Sequence, residues 1–277
     1  MLTVSACAKT NLVLEVLGKR SDGYHEVATV LQEIDLKDVL TFEEHPRIRV
    51  EPADDLVLKA AKLLEEVAMC GKGASISITK GIPVAAGLGG SSSDAAAVIR
   101  GLNDLWGLRL SSSQLVSVAS RVSSDTAFFL HGGTALCEGR GERVTPLPSL
   151  APSWVVLVRP AVALPPGKTG TLYASLRPSH FTDGERARRM VDLLREGGPV
   201  PHASLFNAFE RVACTAFPGL ERYWRRFGEL GAEAVHLAGS GPTLFTLVSD
   251  ESQGAELYHS LEKEGFEAYL VQTRASS

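Results

Sequence analysis

Residues 81–97 read GIPVAAGLGGSSSDAAA, and they constrain the fold more than any other stretch of this chain. Ahead of them, ASISITKGIP carries the period-two pattern of a strand that ends near Pro83. Behind them, Ala95, Val98, Ile99, Leu102, Leu105 and Trp106 recur at steps of three and four, one face of an amphipathic helix ending near Gly107. The glycines therefore turn the chain from a strand into a helix that begins at about Ser92, which excludes a flexible linker. Backbone N–H groups at such a helix start have no intrahelical partner, and the helix dipole adds partial positive charge there. Glycines let a ligand approach the backbone, and serine hydroxyls bond phosphate oxygens or a metal. Taken alone, the segment fits a phosphate cradle and also an ordinary serine-capped helix after a turn.

The rest of the chain mixes the two periods without a strict βαβ beat. LTVSACAKTNLVLEVLGKR alternates through Val4, Ala6, Leu12, Leu14 and Val16, which predicts strands with Lys9 and Asn11 projecting near a bend. Asp22-Gly23 marks a reversal, and RIRVEP is a further strand. Leu56, Ala60, Leu63, Leu64 and Val67 have helical spacing over 55–68, and Ser111 with Gln114 forms a capping box that opens another helix. SSDTAFFLHGGTALCEGRGE passes through a loop into a strand pair with a Gly-Arg-Gly turn. WVVLVRP is a strand, with helices expected around 185–196 and 204–216. AVHLAGSGPTLFTLV reads as strand-turn-strand, followed by a helix at 251–264 and FEAYLV as a last strand. This pattern predicts an α+β fold class. PLPSLAPS, residues 146–153, has no periodicity and is the best linker, dividing the chain into 1–150 and 151–277.

Composition narrows the function classes. The 277 residues are 44% hydrophobic and 22% charged, enough to bury a substantial core. Net charge is −4 with no basic stripe, which argues against nucleic-acid binding, since that depends on clustered Lys and Arg. Lys9 and Glu15 interrupt the first apolar stretch, so neither a signal peptide nor a membrane span is expected. Cys7, Cys70, Cys137 and Cys214 show no metal or redox spacing, which fits a reducing cytoplasm. No protein partner is evident.

Three glycine-rich segments imitate nucleotide motifs and fail. Gly167-Lys168-Thr169 ends like a P-loop, but Val162 stands where the first glycine is required. GRGERV at 139–144 and GSGPTL at 239–244 both lack the last glycine of G-x-G-x-x-G. GLGGSSSD misses it too, with Ser92 in that place.

Pro83 through Ser91 does match P-x-x-x-G-L-G-S/G-S, and in this the chain resembles the GHMP kinase superfamily. AKTNLVLEVLGKRSDGYHEVATVLQEIDLKD, GGTALCEGRGERVTPLP, LFNAFE and LAGSGPTLF then fall in the order of one branch, whose substrate is a small cytidyl diphosphate alcohol. The resemblance covers most of the chain. It implies a two-domain fold, with 1–150 binding ATP and 151–277, a C-terminal α/β sandwich, contributing to the substrate site.

Site roles follow from the same resemblance. Lys9 and Asp125 match the catalytic lysine and aspartate. The ATP-binding positions are Lys80 and the run Pro83, Val84, Ala85, Ala86, Gly87, Leu88, Gly89, Gly90, Ser91, Ser92 and Ser93. The substrate positions are Asn11, Tyr24, His25, Thr169, Tyr173 and the turn Gly239, Ser240, Gly241. His25 would read the cytosine, with Tyr24 and Tyr173 on its two faces. Mg2+ is expected with ATP, the hydroxyls of Ser91 to Ser93 being possible ligands. From spacing alone Asp125 also fits a helix cap, and Lys9 a solvated strand-edge lysine. One departure stands out: where the family has G-A/S-D-V/I-P-F-F, this chain has Ser123-Ser124-Asp125-Thr126-Ala127-Phe128-Phe129, which puts the local loop geometry in question.

Overall fold

The structure, a computed structural model, describes residues 1–276. Two long strands open the chain, β1 (Leu2–Lys19) and β2 (His25–His45), followed by β3 (Arg49–Glu51), helix α1 (Asp55–Ala68) and β4 (Gly73–Thr79). Helices α2 (Gly90–Leu105), α3 (Ser112–Val122) and α4 (Thr126–His131) come next. Strands β5 (Thr134–Gly139), β6 (Arg143–Pro146) and β7 (Trp154–Arg159) then lead to α5 (Lys168–Ser175) and α6 (Glu185–Glu196). The chain ends with β8 (Phe206–Asn207), α7 (Glu210–Ala216), α8 (Leu220–Glu229), β9 (His236–Leu237), β10 (Leu244–Val248), α9 (Glu251–Lys263) and β11 (Glu267–Gln272).

These elements pack as two compact units, each discontinuous in sequence. The first comprises 1–8, 36–84 and 89–132; the second comprises 9–35, 85–88 and 133–276. Strands β1 and β2 therefore each supply residues to both. The Pro146–Ser153 stretch is irregular except at its first residue, as its composition predicts, and it lies inside the second unit.

In the first unit, β4 pairs antiparallel with the later half of β2, from Val39↔Thr79 to His45↔Gly73, and parallel with β3. Helix α2 packs on α1, α3 and α4. Its Gly101 lets the helix sit close to β2, since a Cβ there would meet the Phe42 ring at 2.7 Å. Helix α1 is capped by Asp54, whose carboxylate accepts from the amides of Leu56 and Val57. Helix α3 carries the Ser111–Gln114 capping box that its sequence predicts.

In the second unit, the earlier half of β2 pairs antiparallel with β5, and β5 with β6. β1 pairs parallel with the short β8 at Val13 and Leu14. A separate antiparallel sheet runs β11-β7-β10-β9. One apolar core joins Leu14, Val156, Phe209, Phe217, Phe227 and Leu261. The buried Glu15 accepts from the Ala187 amide at 2.8 Å, serving the start of α6.

The α+β class holds, with a few local differences from the sequence reading. β1 is one continuous strand, in which Lys9 and Asn11 are buried rather than projecting at a bend. β2 is absent from the expected strands because Val27 to Gln32 are buried on both faces, which erases the alternation. The helix expected from 204 begins at Glu210, because Phe206 and Asn207 pair with β1 instead. Helix α2 starts at Gly90, two residues before the expected Ser92.

Candidate active site

In the second unit the site begins with Lys9, which is 4% exposed and therefore not a solvated strand-edge lysine. Its ammonium donates to Asn11 Oδ1 at 2.8 Å, and the Asn11 amide donates to the Thr29 hydroxyl at 2.8 Å. The Thr29 hydroxyl in turn donates to the Val13 carbonyl at 2.6 Å. This chain of bonds fixes the lysine on its strand, which matters because a buried ammonium needs polar partners. The Lys9 amide also donates to the Leu88 carbonyl at 3.0 Å, so β1 holds the end of segment 85–88.

Glycine backbones crowd that same corner. Gly87 has φ 87°, and a Cβ there would fall 2.2 Å from the Ala238 carbonyl oxygen. Gly239 has φ 53°, and a Cβ on it would lie 2.6 Å from the Gly87 oxygen and 2.8 Å from the Lys9 ammonium. Only glycine permits this approach. The Thr243 amide donates to the Ala86 carbonyl, a further tie between the two segments.

Rings form a second cluster. His25 stacks on Tyr173, with centroids 4.9 Å apart and planes at 21°, and meets the edge of Phe181. Burial, and then the charge of Lys19, lower the His25 pKa below the ordinary histidine value, which favours the neutral ring. Tyr24 is exposed, and the Arg140 guanidinium lies 4.8 Å from its ring centroid, a cation–π pair that the sequence did not announce. On α5, the Thr169 hydroxyl lies 3.0 Å from that of Ser240.

In the first unit, helix α2 starts on Gly89 with φ 77° and no side-chain cap, so it is not the serine-capped helix that its sequence also allowed. Its first amides face away from the helix with the positive end of the dipole behind them. The three serines differ. The Ser93 hydroxyl turns inward and donates to the Cys7 carbonyl at 2.6 Å. The Ser92 hydroxyl lies 2.9 Å from that of Ser123, which in turn lies 2.6 Å from that of Thr126. Ser123 and Thr126 belong to the segment that departs from the family pattern, so the departure builds a hydroxyl chain from the glycine loop to α4. Asp125 is the N-cap residue of α4 by position, but its side chain makes no capping bond.

Lys80 sits between two fully buried carboxylates, Asp38 at 2.5 Å and Asp94 at 2.9 Å. Asp38 also accepts the amides of Gly81 and Ile82, which fixes the turn after β4. Asp94 keeps one oxygen, Oδ1, without a hydrogen-bond partner. Burial raises the Asp94 pKa from 3.8 to about 7; the Lys80 bond opposes that rise and the Asp38 charge adds to it. Because the folded value exceeds the unfolded one, the folded protein holds more protons in this window, and stability falls as pH rises from about 4 to 7. Asp94→Asn, which resembles the protonated carboxyl, flattens that slope. Thermal unfolding of both proteins across the window reads it, and parallel profiles would count against a raised Asp94 pKa.

Among the described residues, no three of His, Cys, Asp and Glu cluster as a metal site, and no helix is long and apolar enough to cross a membrane. Sequence reasoning missed Asp38, Arg140 and Phe181, which carry no local signal. Asp94 was visible inside the opening glycine run.

Two family models match the chain: GHMP kinases N terminal domain over residues 55–133, and GHMP kinases C terminal over residues 184–268. With the two units and their glycine loop, these place the chain in the GHMP kinases, as an ATP-using phosphotransferase with an alcohol acceptor. A protein of Dehalococcoides mccartyi named 4-diphosphocytidyl-2-C-methyl-D-erythritol kinase is 43% identical over 280 residues, covering 99% of this chain and 98% of that protein. A solved structure titled 4-(cytidine 5'-diphospho)-2C-methyl-D-erythritol kinase superposes with a TM-score of 0.83 at 31% identity, covering 99% and 100% of the two chains. The chain belongs to the 4-diphosphocytidyl-2-C-methyl-D-erythritol kinase family. The L. major mevalonate kinase, with TM-score 0.75 and 17% identity over 100% and 97% of the chains, shares the fold.

Proposed function

We propose that this enzyme transfers the γ-phosphoryl group of ATP to the C2 hydroxyl of 4-diphosphocytidyl-2-C-methyl-D-erythritol, giving the 2-phosphate and ADP. The step belongs to the non-mevalonate route to isoprenoid precursors. The observation that carries this reading is the near full-length identity with relatives of that one name. In phosphoryl transfer the protein chiefly positions groups and stabilises charge. Asp125 accepts the proton of the crowded tertiary hydroxyl as general base. Lys9 supplies positive charge to the reacting groups, and its fixed place on Asn11 supports that role. The Pro83–Ser93 run and Lys80 bind ATP, and the uncapped start of α2 supports a phosphate there.

Mg2+ bound with the nucleotide would neutralise phosphate charge. The hydroxyl oxygens of Ser91 and Ser92 suit a hard cation, whereas that of Ser93 is committed to Cys7. Residues 1–150 form the ATP-binding half and 151–277 contribute to the substrate side.

Asn11, Thr169 and the Gly239–Ser240–Gly241 turn line the substrate, while His25 pairs with the cytosine edge and Tyr24 and Tyr173 take its faces. A neutral imidazole both donates and accepts, which a base edge requires. His25→Ala raises the KM of the cytidyl substrate about tenfold or more and leaves that of ATP unchanged. The wild-type kcat/KM for that substrate has an acid limb, as His25 takes up a proton below the ordinary histidine range. Equal effects on both KM values would remove His25 from this role.

An ADP-release assay with the cytidyl substrate, mevalonate and homoserine tests the whole reading. Turnover is expected with the first alone. Turnover with either of the others in its place overturns the substrate assignment.

A further inference from the structure

Gly167-Lys168-Thr169 fails as a P-loop, yet the structure gives its lysine a defined place. Helix α5 opens at Lys168, with Gly167 at its N-cap in the left-handed conformation, φ 56° and ψ 40°. From there the half-buried Lys168 side chain reaches the Gly239–Gly241 turn, and its ammonium donates to the Gly241 carbonyl. The next residue makes a parallel tie, Thr169 to Ser240 through their hydroxyls. Two neighbouring side chains of one helix start thus hold two successive residues of one turn.

The other end of the turn faces a second cation. A Cβ on Gly239 would lie 2.8 Å from the Lys9 ammonium. Lysines therefore flank the turn on both sides, Lys9 at Gly239 and Lys168 at Gly241. Lys168 pairs with a neutral carbonyl rather than with a carboxylate. Burial first, and then the positive charge of Lys9, lower its pKa to about 8. A cation held by neutral dipoles beside another cation keeps most of its field for an incoming anion. The substrate proposed above carries a diphosphate.

We propose that Lys168 is a positioning residue for phosphoryl transfer: it locks the Gly239–Ser240–Gly241 turn onto helix α5 and adds a second positive charge beside Lys9 for the diphosphate-bearing substrate. This rests on the kinase reading above. The lock removes a conformational cost that the turn would otherwise meet on binding. The charge acts through the turn and through Lys9, so its loss weakens substrate capture more than ATP capture.

Lys168→Met and Lys168→Arg separate the lock from a merely structural lysine. Without any substrate, hydrogen exchange at the Gly241 amide, which donates to the Ala238 carbonyl at 2.8 Å, reports the turn directly. Exchange is faster in Lys168→Met and near wild type in Lys168→Arg. In steady state, Lys168→Met raises the cytidyl-substrate KM about tenfold with ATP KM within about twofold, and Lys168→Arg restores most of the loss. The wild-type kcat/KM declines as pH rises through about 8. Lys168→Arg, which stays charged, carries that limb to higher pH.

Unchanged exchange and KM in Lys168→Met overturn the proposal, as does a basic limb shared by wild type and Lys168→Arg. If Lys168→Met does not fold, the Arg variant's pH limb decides alone. A wild type inactive on the cytidyl substrate overturns the kinase reading instead, while the substrate-free exchange still decides the lock.

Discussion

Replacing Asp125 with asparagine lowers kcat by about 10²–10⁴-fold while ATP affinity stays near wild type. On the function proposed above, the loss is that of a general base for a crowded tertiary hydroxyl. Asp125 stands at the N-cap of α4, but its side chain makes no capping bond, so the change does not uncap the helix. Measuring kcat beside ATP affinity separates the chemical step from nucleotide binding. Turnover within a few-fold of wild type would assign the proton to another acceptor.

The second large effect is at Gly239. A methyl group there would press on the Gly87 carbonyl at 2.6 Å and on the Lys9 ammonium at 2.8 Å, in a residue with φ 53°. Neither neighbour yields easily, since Gly87 is itself wedged against Ala238 and Lys9 is fixed by Asn11. Gly239→Ala thus costs about 1–3 kcal/mol of stability by overpacking. It displaces the lysine and the glycine loop together, and kcat/KM falls by about 100-fold, the scale of an ångström-sized misplacement. Gly170→Ala is the control. It lies within α5 with nothing within 4 Å of an added Cβ, and it leaves activity intact with stability unchanged or raised by under about 1 kcal/mol. Equal behaviour of the two variants would show that the crowding at Gly239 has no functional weight.

Much of this was legible where one period ran unbroken. The α2 face from Ala95 to Trp106, the Ser111–Gln114 cap and the β7 run are all local patterns, and each folds as read. β2 was not, because burial on both sides of Val27 to Gln32 removes the alternation that marks a strand. Helices α4 and α5 are six and eight residues long, too short to show a face. The site divides in the same way. Its glycine loop is visible because the need for close approach dictates residue type. Asp38 was invisible, since its partners lie more than 40 positions away and nothing around it signals burial. The hydroxyl chain Ser92–Ser123–Thr126 shows the limit of a pattern: the sequence marked Ser123 and Thr126 as departures, and only folding shows what they touch.

The start of α2 on Gly89 has a consequence for how this enzyme lives between turnovers. A side chain that caps a helix start is worth about 1 kcal/mol, and α2 has none. Here that work passes to the nucleotide on the reading proposed above, so part of the stability of the folded state belongs to the metabolite pool. The enzyme grows more robust as ATP rises and more fragile as it falls, through mass action alone. A loop selected to welcome phosphate makes the cell's energy charge a partner in holding the protein together.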